Sequence, residues 1–211
     1  MTTLLIMLVF GAIYGIISGM YDLPFWGLYI VLFIFTAALI GDLFYTIFKS
    51  QNLVKIRKFL MKYKKEPVYQ YMLLHEQNAP DEDKIDTLRQ VLAKHKQDKY
   101  QATYGVHLAL VNEDFEAAKQ AIRPLLNTDI GEYTNEIIHI LSGDHYSNKR
   151  QYKKQWMNDS VLAHEAFMRN DLSAFDSYSS KSLEQTGGVQ YFGNYYSFRD
   201  MRSRIQQKTN A

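Results

Sequence analysis

The sequence contains no cysteine and only four prolines among its 211 residues. Without cysteine the chain has no disulfide, no thiol nucleophile and no thiolate ligand for a metal. It also lacks the alternating β-branched runs and hairpin turns that predict strands. Phosphate-binding glycine loops, serine-hydrolase elbows and zinc-peptidase motifs are absent, and the six histidines follow no metal-ligand spacing. We therefore predict no enzyme activity, no catalytic residue and no bound metal or cofactor.

Charge is nearly absent from the first 48 residues, which hold only Asp22 and Asp42. The apolar runs 4–20 and 25–48 would rise roughly 26 Å and roughly 36 Å as helices. Because a bilayer core is about 30 Å thick, we predict a transmembrane helical hairpin over residues 1–48, with its turn at residues 21–24. A signal peptide is the alternative, but it requires a basic start and a small-residue cleavage site that this segment lacks.

Small residues recur on one face of each predicted membrane helix. They are Gly11, Gly15 and Gly19 on the first helix and Ala37 and Gly41 on the second. Small side chains let membrane helices approach closely, so we predict that these faces pack within the hairpin. Self-association of two chains into a homo-oligomer is the alternative use of the same face.

A basic segment, residues 49–65, follows the hairpin immediately. It carries seven lysines and arginines, whereas the predicted turn carries none. The positive-inside rule then predicts a protein of the cell membrane with both termini on the cytoplasmic side. The segment is also amphipathic, so it is predicted either to lie on anionic lipid headgroups or to extend as a helix into the body. The residues predicted to touch the membrane surface are Lys55, Arg57, Lys58, Lys62, Lys64 and Lys65.

The body, residues 66–211, is long enough to form its own core. Seven of the 24 basic residues and two of the 22 acidic residues lie in 1–65, which leaves the body with 17 and 20 and a net charge near −3. Nucleic-acid binding favours a basic face, so we expect no nucleic acid as a partner.

Helical periodicity continues through the body, with turn signals between the apolar stripes. We predict an all-α fold of antiparallel helix pairs and leave residues 144–155 as a loop or a weak helix. The first four predicted helices are one at about 67–77, one that begins at 81, one at 98–111, and one that begins at 115 and stops near Pro124. The last four are one between Gly131 and Gly143, and three at about 161–168, 172–183 and 189–206.

Residues 102–126 (ATYGVHLALVNEDFEAAKQAIRPLL) resemble a tetratricopeptide repeat. The turn falls at 112–114, followed by the aromatic Phe115 and the small residue Ala118. Residues 163–184 repeat the pattern more weakly, with Leu172 in the aromatic position and Phe175 where a small residue belongs. The two copies lie 57 residues apart, so the repeat is degenerate or interrupted. The resemblance implies an α-solenoid (TPR-like) scaffold whose concave face holds a peptide or a partner helix.

Aromatic and arginine residues concentrate in the last predicted helix. Because Tyr and Arg are enriched at binding hot spots, Tyr191, Tyr195, Arg199 and Arg202 are candidate contacts for a protein partner. The alternative is that this helix caps the core.

Two functions follow: a membrane-anchored scaffold, bacterial by its composition, or an accessory subunit of a transport, secretion or envelope complex that interacts through the hairpin.

Overall fold

The structure, a computed structural model, describes residues 2–21, 26–144 and 151–209. Those residues form α-helices joined by short turns and contain no strand, which confirms the all-α prediction. The predicted turn at 21–24 lies largely outside the described residues. The helices are α1 (Thr2–Tyr21), α2 (Trp26–Phe48), α3 (Leu53–Lys62), α4 (Pro67–Glu76), α5 (Asp81–Lys94), α6 (Asp98–Val111), α7 (Phe115–Ile122), α8 (Asp129–Ser142), α9 (Gln155–Met168), α10 (Leu172–Glu184) and α11 (Gly188–Thr209).

The chain divides into two compact units, residues 1–46 and 47–211. The first unit contains α1 and most of α2, and large apolar side chains on both helices are exposed. Phe33 is 74% exposed, Ile16 65% and Trp26 63%. A soluble monomer rarely exposes apolar surface this densely, so this surface calls for a non-aqueous environment or a partner.

Among the described residues, neither helix by itself combines the length and hydropathy required of a membrane span. The stretch Leu32–Phe48 meets that requirement only together with Leu53–Lys62, across a bend of 108°. The transmembrane hairpin therefore stays a prediction.

In the second unit, three helix pairs are joined by the same kind of turn. A residue with positive φ stands at Asn78, Glu113 and Asn170, with φ of 50°, 55° and 54°. The next residue in each turn donates its backbone N–H to a carbonyl five positions back, at 2.9–3.0 Å. This arrangement satisfies carbonyls left open at the helix end. The turns predicted at 112–114 and 170–171 are therefore present.

In two of these pairs, the second helix begins with the same kind of N-cap. The Oδ1 atom of Asp114 accepts the N–H of Ala117 at 2.9 Å, and that of Asp171 accepts the N–H of Ala174 at 3.0 Å. An aspartate here satisfies one of the unpaired N–H groups of the first turn. The matching caps explain why the two stretches look alike in sequence.

Two predicted boundaries require correction. Thr128 caps α8 by accepting the N–H of Gly131, so Gly131 lies inside the first turn of the helix and does not precede it. Helix α9 begins at Gln155 and not near Val161, because Trp156 and Met157 already face the core. Residues 151–154 are not helical, and the rest of the uncertain polar stretch lies partly outside the described residues.

Consecutive helices pack on one another from α3 to α11, and α11 also returns to α3, α4 and α9. Phe192 on α11 is fully buried with Ile56 and Leu60 of α3, while Phe198 and Ile205 pack against α9 and α10. An open solenoid contacts only its sequence neighbours. Here the last helix joins the first part of the unit to the last.

The chain immediately after α2 is fixed to the turn between α10 and α11. Gln51 donates its side-chain amide to the carbonyls of Leu183, Glu184 and Thr186. The N–H of Gly188 donates to the Ser50 carbonyl at 2.7 Å. Gly187 and Gly188, which lie between α10 and the body of α11, therefore allow a close backbone approach.

Candidate functional site

A basic recess lies where the α3–α4 turn meets the end of α5 and the start of α6. Its volume is about 620 Å³, within the roughly 300–1,000 Å³ usual for ligand sites. We call this cavity the basic recess. Its polar and aromatic lining consists of Lys62, Lys64, Lys65, Lys94, His95, Glu66, Tyr63, Tyr69 and Tyr100.

Glu66 links the two sides of the basic recess. Its carboxylate accepts a hydrogen bond from Lys94 Nζ at 2.6 Å and one from His95 Nε2 at 2.7 Å. These bonds, from Lys94 first and His95 second, hold the pKa of Glu66 below its ordinary value. Glu66 directly precedes α4, so the pair of bonds ties the start of α4 to the end of α5.

Aromatic rings form the walls of the basic recess. Tyr63 and Tyr69 lie 6.4 Å apart, and both rings pack against Phe59. On the other side the His95 ring stacks on Tyr100 at 4.5 Å. Desolvation raises the pKa of Tyr69, so its hydroxyl stays protonated and can donate a hydrogen bond.

The aromatic surface continues from Tyr100 along α6 onto α4. Tyr104 stacks on Tyr100 at 6.0 Å and meets His107 at 5.9 Å. Tyr71 of α4 packs against both Tyr104 and His107, and its hydroxyl shares a 2.8 Å hydrogen bond with His75 Nε2. We call Tyr71, His75, Tyr100, Tyr104 and His107 the aromatic wall.

His107 is the most exposed member of the aromatic wall. Its side chain is exposed, yet desolvation by surrounding protein, followed by the neighbouring His75, lowers its pKa to about 4. At neutral pH this surface therefore presents an uncharged imidazole beside tyrosine rings.

Only some of the basic residues predicted to touch a membrane surface lie on the basic recess. Lys62, Lys64 and Lys65 come together on the basic recess. Arg57 instead pairs with Glu76 of α4 at 2.7 Å. Lys55 and Lys58 lie on α3, whose apolar residues Ile56 and Leu60 are fully buried. The body thus covers the apolar face of α3, and the basic side remains at the surface.

The candidate partner contacts on α11 also divide. Arg199 donates to the carbonyls of His75 and Glu76, each at 3.1 Å, and its guanidinium lies 4.7 Å from the Tyr196 ring. Arg202 makes a two-pronged pair with Asp176. Both arginines thus make contacts within the body, and their predicted role in binding stays a prediction. Tyr191 and Tyr195 stay half-exposed with rings 6.1 Å apart, and their role in binding stays a prediction.

The small residues of the predicted hairpin show no tight packing at their glycines. A Cβ placed at Gly11, Gly15, Gly19 or Gly41 would meet no other atom within 4 Å, over the residues that the structure describes. Ala37 is exposed. The predicted packing of these faces stays a prediction.

Sequence reasoning missed half of the basic recess. Lys94, His95, Tyr69 and Tyr100 come from helices that meet only in the folded unit. The Lys94-His95-Lys96 run at the end of a predicted helix was the one local signal. In the described ranges, no group of three or more acidic or histidine side chains is arranged to hold a metal ion.

Comparison of the chain with protein-family models, with curated proteins and with solved structures found no match.

Proposed function

We propose that this protein is a membrane-anchored scaffold that recruits a protein partner to the cytoplasmic face of a cell membrane. In this proposal residues 1–48 form the transmembrane hairpin. The observation that carries it is the contrast between the two units. One exposes large apolar side chains such as Phe33 and Trp26, whereas the other buries its apolar residues in continuous cores.

The body supplies the recruiting part as a degenerate, TPR-like helical array. Three turns of one geometry and two matching aspartate caps support that assignment. Tyr100, Tyr104 and His107 of the aromatic wall supply the binding surface, because accessible Tyr and His rings offer large contact area at low entropic cost. A peptide or an amphipathic helix of the partner would lie against it.

Site-specific photo-crosslinking tests this proposal in native membranes. A photoreactive phenylalanine analogue replaces His107 on the aromatic wall in the full-length chain. The matched control carries the analogue at Arg89, which is 68% exposed on α5. We expect a discrete protein adduct from position 107 and none from position 89. Identical patterns at both positions, or no protein adduct at either, would refute the proposal.

A second candidate function is that of an accessory subunit bound through the hairpin. It is favoured by Gly11, Gly15, Gly19 and Gly41, around which each added Cβ would find open space. Close approach of a helix from another chain uses such faces. Replacing Gly15 with Ile should then release the partner during co-purification, while the same change at the exposed Ala12 should not. Equal recovery with both variants would exclude this candidate.

A further inference from the structure

The basic recess has a large imbalance of charge. Four lysines line it against one carboxylate, Glu66, and that carboxylate is already engaged by Lys94 and His95. Within the described residues, Lys62, Lys64 and Lys65 have no carboxylate partner, and Lys62 Nζ instead lies 5.4 Å from the centre of the Tyr63 ring. Three ammonium groups therefore share one rim without a counter-charge.

The donors around the basic recess match a phosphoryl group. A phosphate oxygen only accepts hydrogen bonds, and each lysine ammonium offers three donors on a flexible stem. The hydroxyls of Tyr69 and Tyr100 add donors that an apolar ligand could not use. A multiply charged anion also removes the mutual repulsion of the three ammonium groups, which a singly charged ligand relieves less.

The size and walls of the basic recess indicate more than bare phosphate. A volume of about 620 Å³ leaves room for an organic group beside the phosphoryl oxygens. The stacked His95 and Tyr100 rings on one side and the Tyr69 ring on the other provide an apolar surface for it. Ligand sites commonly combine a few polar anchors with aromatic walls in this way.

We propose that the basic recess binds a phosphate monoester, whose oxygens contact Lys62, Lys64 and Lys65 and whose organic part packs against Tyr69 and Tyr100. Such a group comes either from a lipid headgroup of the phosphatidate type or from a soluble phosphate ester. The phosphate contacts, Lys62, Lys64 and Lys65, lie outside the aromatic wall, and Tyr100 is the one residue that the two proposed sites share.

The test uses the full-length chain in lipid nanodiscs, with the ring resonances of Tyr69 and Tyr100 followed by NMR. In phosphatidylcholine discs, glycerol 3-phosphate is titrated as the soluble probe. In a second set of discs, phosphatidic acid is included as the lipid monoester, with phosphatidylglycerol as an anionic diester control. A shift with glycerol 3-phosphate assigns a soluble ligand, and a shift only with phosphatidic acid assigns a lipid headgroup.

Charge-matched variants test whether the named lysines are responsible. We expect the triple variant Lys62→Gln, Lys64→Gln, Lys65→Gln to weaken the response at least about tenfold, because charge-assisted bonds dominate phosphate binding. The control Lys153→Gln, Lys154→Gln, Lys208→Gln removes the same charge elsewhere and should change it less than about twofold. Circular dichroism of both variants verifies folding. The proposal is overturned if neither probe shifts the two tyrosines, if the diester acts as well as the monoester, or if both triple variants behave alike.

Discussion

Gly188 occupies a position that no other residue fits. Its φ is +62°, and a Cβ there would overlap the carbonyl of Ile47. The sequence predicts helices that end at about 183 and begin again at 189, on either side of Gly187 and Gly188. It gave no sign that residues 47–51 pack against them, because that contact joins positions far apart in the chain.

Replacing Gly188 with Ala should destabilise the protein more than the same change at Gly143. Both glycines have positive φ, and an alanine in that region costs about 1–2 kcal/mol. At Gly188 alone the added methyl group would also overlap backbone atoms, and overpacking of this kind costs roughly 1–3 kcal/mol more. Chemical denaturation of the two variants measures the difference, and equal losses would show that the 47–51 contact is not tight.

His164 is a buried histidine held in its neutral form. Its Nδ1 lies 2.7 Å from the Ser160 carbonyl, so Nδ1 carries the proton and donates it. Desolvation lowers its pKa below the ordinary 6.5, against the opposing effect of that hydrogen bond. The sequence showed no metal-ligand spacing for this histidine, and in the structure it packs in the interior of the body.

The His164→Asn variant should make stability less dependent on pH. A histidine whose folded pKa is lowered stabilises the fold fully above pH 6.5, and this contribution falls as the pH drops toward the folded value. Asparagine keeps an N–H donor but does not titrate. We expect the slope of unfolding free energy between pH 6.5 and 5 to decrease by up to about 1.4 kcal/mol per pH unit. An unchanged slope, measured by denaturation across that range, would contradict this assignment.

At the scale of elements, local signals predicted the helix pairs well. Asp114 and Asp171 cap helices that begin at the very next residue. Because the cap and the helix start are adjacent in the chain, these helix starts can be predicted from the sequence. The return of α11 to α3 and α4 was not predictable in the same way. Phe192 and Arg199 form their contacts with residues more than a hundred positions earlier, and no short-range pattern encodes such pairing.

Arg199 should be the polar residue that matters most for this return. Its guanidinium donates to two carbonyls at the end of α4, those of Glu76 and of His75, which also accepts the N–H of Asn78. We expect Arg199→Met to cost about 1–3 kcal/mol and to speed hydrogen exchange in α4 and α11. Arg202→Met, which breaks an exposed pair with Asp176, should cost at most about 1 kcal/mol. Similar exchange rates in both variants would show that packing alone holds α11 in place.

At the scale of the whole molecule, composition separated an apolar start from a polar helical body, and the structure divides the chain at nearly the same place. Sequence reasoning also singled out Lys62, Lys64 and Lys65, but as a membrane-facing strip. The cavity they line needs Lys94, His95 and Tyr100 from a later part of the chain. A binding site assembled from separate helices is therefore only half visible before folding.

The absence of cysteine makes the membrane anchor directly testable by single-cysteine labelling. The proposed topology places Tyr21 outside and Gln207 in the cytoplasm. A membrane-impermeant maleimide applied to intact spheroplasts should therefore label Tyr21→Cys. The Gln207→Cys variant should be labelled only after lysis, and alkaline carbonate should leave both variants in the membrane fraction. Labelling of Gln207→Cys in intact spheroplasts, or release of the chain by carbonate, would contradict the membrane-anchored scaffold.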